Sequence, residues 1–196
     1  MKYLKVALVL LVAMAAGAGA FVWSGVYNPG ADSPHWKITY MMLQAVREQA
    51  VERHASEITL PGNLKDPKLI LKGAGQYVAM CTGCHLAPGM QDSEIRPGLY
   101  PQPPDLSKVS VNPRTAFWVI KHGIKASAMP AWGLSHDDET IWSMVAFLQK
   151  LPSMTPDQYK AMVAKAPPDE DMGAKEGTSP PVSHGHTHGA HTHGHD

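Results

Sequence analysis

The stretch Cys81-Thr82-Gly83-Cys84-His85 determines the expected fold of this chain of 196 residues. Two thiols spaced by two residues can bond to two vinyl groups on one edge of a haem, and histidine is a usual axial ligand of haem iron. The C-x-x-C-H sequence therefore predicts the covalent attachment of one haem c. A zinc site would need a second pair of ligands, but the chain has no other cysteine. A thioredoxin-like redox pair would need alternating strands and helices, which the sequence does not indicate.

The second axial ligand of the iron is predicted to be Met129, opposite His85. Pro130 disfavours helical geometry for the residue that precedes it, so Met129 is expected on an extended loop. Methionine paired with histidine raises the reduction potential of a haem. His85 and Met129 are therefore the predicted ligands of the haem iron.

Four other side chains compete with Met129 for this position: Met80, Met90, Met144 and His122. Met80 and Met90 are too close to the attachment motif to reach the opposite face of the haem. Met144 lies in a helical pattern and is expected in the core. His122 is the main rival, because two histidines can also ligate one haem. A helix that starts at Asn112-Pro113 and stops at Gly123 would place His122 in its last turn.

Two positions before the attachment motif and a helix after it complete a wider pattern. Gly73 and Tyr77 lie eight and four residues before the first cysteine, and a helical pattern with Ser135 as its N-cap runs to Leu151. With the attachment motif, these features resemble a class I cytochrome c domain over residues 67–152. The resemblance implies a few helices around one haem, with Gly73 and Tyr77 against the C-terminal helix.

The resemblance also implies how the cofactor is held. In this family a proline carbonyl binds the second nitrogen of the axial imidazole. Pro104 fits that role best, and Pro97 is the alternative. We expect the propionate edge of the haem near Tyr100, Arg114 or Trp132.

Further motifs extend the resemblance along the chain. They are the helix at 35–58 and the sequences Ala87-Pro88-Gly89, Pro103-Pro104-Asp105-Leu106 and Met129-Pro130-Ala131-Trp132. Over residues 34–160 they resemble a membrane-anchored group of bacterial monohaem cytochromes c. This resemblance implies single-electron transfer, with a quinol-oxidising complex, a periplasmic dehydrogenase or a terminal oxidase as candidate partners. A haem sensor or enzyme with a displaceable distal methionine is the alternative function.

The N-terminus indicates the cellular compartment. Lys2 and Lys5 precede an uncharged run over 6–23, which predicts a signal-anchor or transmembrane helix within residues 1–27. Eighteen helical residues extend about 27 Å, enough to span a thin hydrocarbon core. The small residues Ala16-Gly17-Ala18 and Ala18-Gly19-Ala20 are alternative signal-cleavage sites. The haem domain is expected in the bacterial periplasm, either anchored at the inner membrane or soluble after cleavage.

The rest of the chain divides into four predicted segments: a linker and amphipathic helix at 28–65, a cytochrome c domain at 66–152, a C-terminal extension at 153–182 and a histidine-rich tail at 183–196. In the amphipathic helix, apolar residues such as Ile38 and Met42 follow helical spacing, and charged residues cover the other face. No alternating run of β-branched residues indicates a strand. An all-α fold is therefore expected.

The tail contains six of the eleven histidines: His184, His186, His188, His191, His193 and His195. Histidines spaced in this way can bind copper, nickel or zinc, which makes a metal-handling protein a further alternative. The competing interpretation is a solvated terminus that binds metals only incidentally.

The charge balance argues against a nucleic-acid partner. Lysine plus arginine and aspartate plus glutamate each number 17, so the formal net charge is zero. Nucleic-acid binders usually carry a clustered basic excess. No serine-histidine-aspartate set or phosphate-binding loop stands out either, and we expect a protein that is not an enzyme.

Overall fold

The computed structural model describes residues 2–167, and within this range the chain is helical. The helices are α1 (Lys2–Ser24), α2 (Lys37–Ala55), α3 (Pro67–Met80), α4 (Thr82–His85), α5 (Pro113–His122), α6 (Asp138–Leu148) and α7 (Pro156–Val163), with short 3-10 turns at Arg96–Gly98, Trp132–Leu134 and Leu151–Ser153. No strand occurs among the described residues. The all-α fold class predicted from the sequence is confirmed.

Helices α3 and α6 form the centre of the domain. A β-carbon at Gly73 would lie 1.9 Å from the carbonyl oxygen of Ser143, so only glycine permits this approach of the two helices. One turn later, the ring of Tyr77 packs against Phe147 with 5.3 Å between the ring centroids. The hydroxyl of Tyr77 donates to the carbonyl of Leu86 at 2.6 Å. The predicted contact of Gly73 and Tyr77 with the C-terminal helix is confirmed.

Helix α5 completes the core on one side of α6. It begins where the Asn112 side chain accepts hydrogen bonds from the backbone of the first turn, with proline as the first helical residue, and it ends at Gly123. Phe117 stacks on Trp142 of α6 at a centroid distance of 4.0 Å. Met144 is fully buried in the same core, as its helical pattern predicts.

Helix α6 begins two residues later than predicted. Its N-cap is Asp137, whose side chain accepts from the backbone N–H of Thr140 at 2.8 Å, and not Ser135. The Ser135 hydroxyl instead donates to the carbonyl of Trp132 at 3.2 Å. The prediction of Ser135 as N-cap is therefore wrong, because this serine closes the preceding 3-10 turn.

The first part of the predicted C-terminal extension packs back onto the domain. Helix α7 starts with a capping box made by Thr155 and Gln158. Its buried Tyr159 hydroxyl lies 3.4 Å from the hydroxyl of Thr82. The rest of the extension and the predicted histidine-rich tail at 183–196 lie outside the described residues.

The two N-terminal helices differ in how they use their apolar side chains. Helix α1 buries none of its residues, and it is the one described helix long and apolar enough to cross a membrane. Helix α2 packs on α5, where His54 stacks on Trp118 with a centroid distance of 5.4 Å. Its buried residues, Val51 and Ala55, lie on the side opposite the apolar pattern seen in the sequence.

Candidate haem site

A cavity of about 1270 Å³ lies between α2, α4, α5 and the loops that follow α4 and α5. All eight residues that the sequence assigns to the cofactor line this cavity: Cys81, Cys84, His85, Tyr100, Pro104, Arg114, Met129 and Trp132. Aliphatic side chains that include Leu106, Ile120 and Leu148 form much of the remaining wall. An apolar cavity with two thiols, an imidazole and a thioether fits a covalently attached haem.

The attachment motif is a single helical turn, α4. The backbone N–H groups of Cys84 and His85 both donate to the carbonyl of Cys81, at 3.1 and 2.8 Å. This turn holds both thiols at the cavity wall, and both are free. Burial raises the pKa of the Cys81 thiol to about 12. At neutral pH this group is therefore a thiol and not a thiolate.

The turn ends on a strained residue that sequence reasoning missed. Leu86 has a φ angle of 61°, which is rare for a residue with a side chain. Such a conformation costs about 1–3 kcal/mol and persists only where the surroundings enforce it. Here the Leu86 side chain is buried and its carbonyl accepts the hydrogen bond from Tyr77. The strained residue fixes the direction in which the chain leaves His85.

The imidazole of His85 is held in one tautomer. Its Nδ1 atom lies 2.9 Å from the carbonyl oxygen of Pro104, so the Nδ1–H donates and Nε2 keeps its lone pair. Burial lowers the pKa of His85, the bond to Pro104 opposes this shift, and the positive charge of Arg96 adds to it. The neutral form, which can ligate a metal, is favoured. Pro97, the alternative to Pro104, lies in the 3-10 turn Arg96–Gly98.

The loop that carries Met129 closes over the end of α5. The backbone N–H of Ile124 donates to the carbonyl of Met129 at 3.1 Å, and the Met129 N–H donates to the Ser127 hydroxyl at 3.2 Å. Gly123 permits this closure, because its φ angle is 65° and a β-carbon would lie 2.7 Å from the Met129 carbonyl oxygen. The Met129 side chain is half-buried and lines the cavity.

The rival ligands occupy different positions. His122 is exposed and packs against the ring of Trp118, and it is absent from the cavity lining. Met80 does line the cavity, at the end of α3 beside the attachment motif. Met90 packs against the core without lining the cavity. Met129 is therefore the candidate that reaches the cavity from the loop after α5, away from the attachment motif.

The candidates for the propionate edge lie on different elements. Arg114 is in the first turn of α5, and Trp132 follows the Met129 loop. Tyr100 contacts His35, which lies just before α2. The Tyr100 hydroxyl accepts a hydrogen bond from the backbone N–H of His35 at 3.3 Å, and the ring centroids of the two residues are 5.1 Å apart. The structure thus brings all three residues to the same cavity.

Sequence reasoning missed the contribution of α2 to the cavity. This helix and the residues before it supply much of one wall: His35, Lys37, Tyr40, Arg47, Glu48, Val51, Glu52 and Ala55. The apolar pattern of α2 lies on the opposite side, so it gave no indication of this wall. The one sequence feature that indicates this buried side is the pair Val51 and Ala55, two apolar residues spaced by one helical turn within the charged face.

Arg96 was also missed. Its guanidinium donates to the carbonyl of Pro103 at 3.1 Å and lies 3.7 Å from a carboxylate oxygen of Asp92. It therefore braces the loop that presents the Pro104 carbonyl to His85. No periodic pattern marks a residue that acts through a loop in this way.

Comparison with known proteins supplies a family for this region. Residues 68–148 match the model of a family described as cytochrome c oxidase, cbb3-type, subunit III. The match runs from α3 to the end of α6 and includes the attachment motif, Pro104 and Met129. No curated protein and no solved structure matches the chain. Residues 68–148 therefore form a class I c-type cytochrome domain, a family that carries covalent haem and transfers electrons.

Proposed function

We propose that this protein is a periplasmic electron carrier whose single haem c is ligated by His85 and Met129. The observation that carries the proposal is that both side chains line one apolar cavity with both cysteines in its wall. Two protein ligands leave the iron no position for a substrate. This arrangement favours a carrier over an enzyme.

Each part of the cavity has a role in such a carrier. When bound, the haem supplies an iron centre that gains and loses one electron. The Pro104 carbonyl keeps Nε2 of His85 available as a ligand. The Met129 thioether favours a high reduction potential, and the aliphatic wall excludes water.

We further infer that Arg114, Tyr100 and Trp132 contact the propionate groups. A guanidinium makes strong charge-assisted hydrogen bonds to carboxylates, and phenol and indole groups are hydrogen-bond donors. Arg114 forms no ion pair with another described residue. Its charge is therefore available to a carboxylate in the cavity.

We propose that α1 anchors the carrier in the bacterial inner membrane. Lys2 and Lys5 would stay in the cytoplasm, since basic residues flank a span on that side, and the haem domain would lie outside. A cleaved signal peptide, which would leave a soluble periplasmic protein, is the alternative. The candidate partners are a quinol-oxidising complex, a periplasmic dehydrogenase and a terminal oxidase. The oxidase named in the description of the matching family favours the last.

Carbon monoxide binding to the reduced protein tests the ligand pair. We expect one haem per chain, and no carbon monoxide adduct in the wild type or in His122→Ala. Met129→Ala should open the distal position and bind carbon monoxide. An adduct in the wild type would favour a sensor or enzyme, and an adduct in His122→Ala alone would overturn the assignment of Met129.

The histidine-rich tail at 183–196 gives a second candidate function, the binding of copper, nickel or zinc. Six histidines within fourteen residues favour it. Equilibrium dialysis of the full chain against a chain ending at Pro181 is the test. Equal metal stoichiometry for the two proteins would contradict this function and leave the electron carrier unaffected.

A further inference from the structure

One side of α2 carries large apolar side chains without a partner among the described residues. Ile38, Met42 and Val46 are 66, 65 and 68 % exposed. Their spacing of four residues puts them in one row on the helix surface, which we call the α2 stripe. The helix packs on the haem domain with its other side, where Val51 and Ala55 are 8 and 2 % exposed. The stripe is therefore not needed to hold the fold together.

The α2 stripe is apolar, but the row of side chains that continues it along the helix is polar. Gln49 and Arg53 continue it beyond Val46, and both are exposed. Within residues 2–167, the Arg53 side chain forms one ion pair, with Glu57 at 3.7 Å on the surface. The apolar part is thus confined to the first turns of α2, and the later turns present polar groups to water on the same side.

The apolar end of the row is the end that meets α1. Trp36, which immediately precedes α2, lies 6.0 Å from the ring of Phe21 in α1 and 5.5 Å from the ring of Tyr27. Tryptophan and tyrosine are preferred at the boundary between membrane and water. An exposed apolar surface therefore continues from α1 through Trp36 onto the α2 stripe.

We propose that the α2 stripe lies in the outer surface of the lipid bilayer, and that α2 rises out of the membrane beyond Val46. The inference rests on the membrane anchor proposed for α1. An amphipathic helix binds a bilayer by burying its apolar face about 5–10 Å into the boundary of headgroups and acyl chains. A soluble partner or a second copy of the chain would not require the stripe to lose its apolar character with distance from α1.

This contact would fix the orientation of the haem domain. The side of α2 opposite the stripe lines the haem cavity with Arg47, Val51 and Ala55. One helix would then touch the membrane with one side and the cofactor cavity with the other. The haem would be held at a set height above the bilayer, within reach of a membrane-embedded redox partner.

Photo-crosslinking to lipid tests the proposal on the full-length holoprotein. The protein is placed in vesicles of phosphatidylethanolamine and phosphatidylglycerol that contain a phospholipid with a diazirine in its acyl chain. Trypsin releases the peptide 38–47, which holds the whole stripe, and the peptide 48–53, which holds its polar continuation. We expect lipid adducts on the first peptide and none on the second.

A matched pair of variants tests the stripe directly. Met42→Glu should lower the adduct yield on the stripe peptide several-fold, while Arg53→Glu should leave it unchanged. The absorbance spectrum of the haem checks that both variants are folded. Equal yields for the two variants would overturn the proposal.

The peptide 6–37 reports on the anchor in the same digest. Adducts on 6–37 without adducts on 38–47 would overturn the stripe contact and leave the anchor in place. The absence of adducts on both 6–37 and 38–47 of the full chain would overturn the anchor and, with it, the stripe contact that rests on it. Equal adducts on 38–47 and 48–53 would overturn the rise of α2 out of the membrane. In each case the haem spectrum tests the electron carrier separately.

Discussion

The Nδ1 atom of His85 and the carbonyl oxygen of Pro104 lie 2.9 Å apart, and this contact links the attachment turn to the loop between α4 and α5. A second bond runs the other way, because the backbone N–H of Leu106 donates to the carbonyl of His85 at 3.0 Å. The two bonds fix both the ring and the backbone of the histidine against one short segment. The orientation of the predicted ligand is therefore fixed by its hydrogen bonds to this segment.

Pro104→Ala should raise the reduction potential of the haem by tens of millivolts. The substitution keeps a carbonyl but frees its φ angle, so the bond to Nδ1 weakens and the imidazole becomes a poorer donor to ferric iron. Spectroelectrochemical titration measures the shift. Pro97→Ala is the matched control, since Pro97 lies in a turn of the same loop, and equal shifts in the two variants would contradict the role of Pro104.

Gly73→Ala should destabilise the domain by about 3 kcal/mol, the upper part of the range for overpacking a core. The added β-carbon would lie 1.9 Å from a backbone oxygen of α6, so the two central helices would have to separate. Denaturant unfolding of the holoprotein measures the change. Gly62→Ala, where a β-carbon meets no atom of the described residues within 4 Å, should change the stability little. Equal unfolding midpoints would contradict the close approach of α3 and α6.

Local chemistry and helix signals explain what could be predicted from the sequence. The attachment motif, the proline after Met129 and the caps of α5 act over a few residues, so their consequences follow from neighbouring side chains. Gly73 and Tyr77 depend on a distant helix, and the resemblance to a known domain supplied that contact. These features were enough to predict eight residues at the cofactor, and all eight line the cavity.

The remaining features depend on tertiary contacts. Leu86 adopts a positive φ because its side chain is buried and its carbonyl is bound by Tyr77. The α2 wall of the cavity was missed, because the strong apolar pattern of that helix faces away from the domain. Ser135 has the chemistry of an N-cap, but Asp137 takes that position two residues later. Tertiary packing overrides a local preference at Leu86 and in α2, whereas the N-cap of α6 is decided between two nearby residues by local hydrogen bonds.

Tyr77→Phe should make the stability of the domain less sensitive to alkaline pH. Burial raises the pKa of the Tyr77 phenol well above its usual value, so the unfolded chain loses this proton at lower pH than the folded chain does. This contribution to stability is complete below the ordinary tyrosine pKa of about 10 and is lost as the pH rises above it. Unfolding midpoints between neutral pH and alkaline pH measure the slope.

The same variant should lose about 1 kcal/mol at neutral pH, because the Leu86 carbonyl is left without its hydrogen bond. The lost hydrogen bond makes the variant less stable at neutral pH, whereas the missing phenol removes a loss of stability at alkaline pH. The curves of stability against pH for wild type and variant should therefore converge as the pH rises. Parallel curves would contradict the burial of an uncharged Tyr77. Tyr40→Phe, outside the core, is the control for general effects of removing a phenol.

Gly123→Ala should detach Met129 from the iron without unfolding the domain. The φ angle of 65° is strained for alanine, and the new β-carbon would lie 2.7 Å from the Met129 carbonyl and 2.7 Å from the backbone of Pro130. The loop that carries the thioether must move away to relieve this contact. We expect the reduced variant to bind carbon monoxide and its potential to fall, because methionine ligation raises the potential.

Gly89→Ala is the control for a strained substitution away from the Met129 loop. Gly89 also has a positive φ, of 89°, but among the described residues its β-carbon would meet a side chain, that of Pro156 at 3.1 Å, and no backbone atom. Both variants should lose stability, and helical circular dichroism should show that both remain folded. Only Gly123→Ala should bind carbon monoxide. Binding by both variants would mean that the distal position responds to general loosening of the domain, and binding by neither would mean that the thioether is held independently of the Gly123 turn.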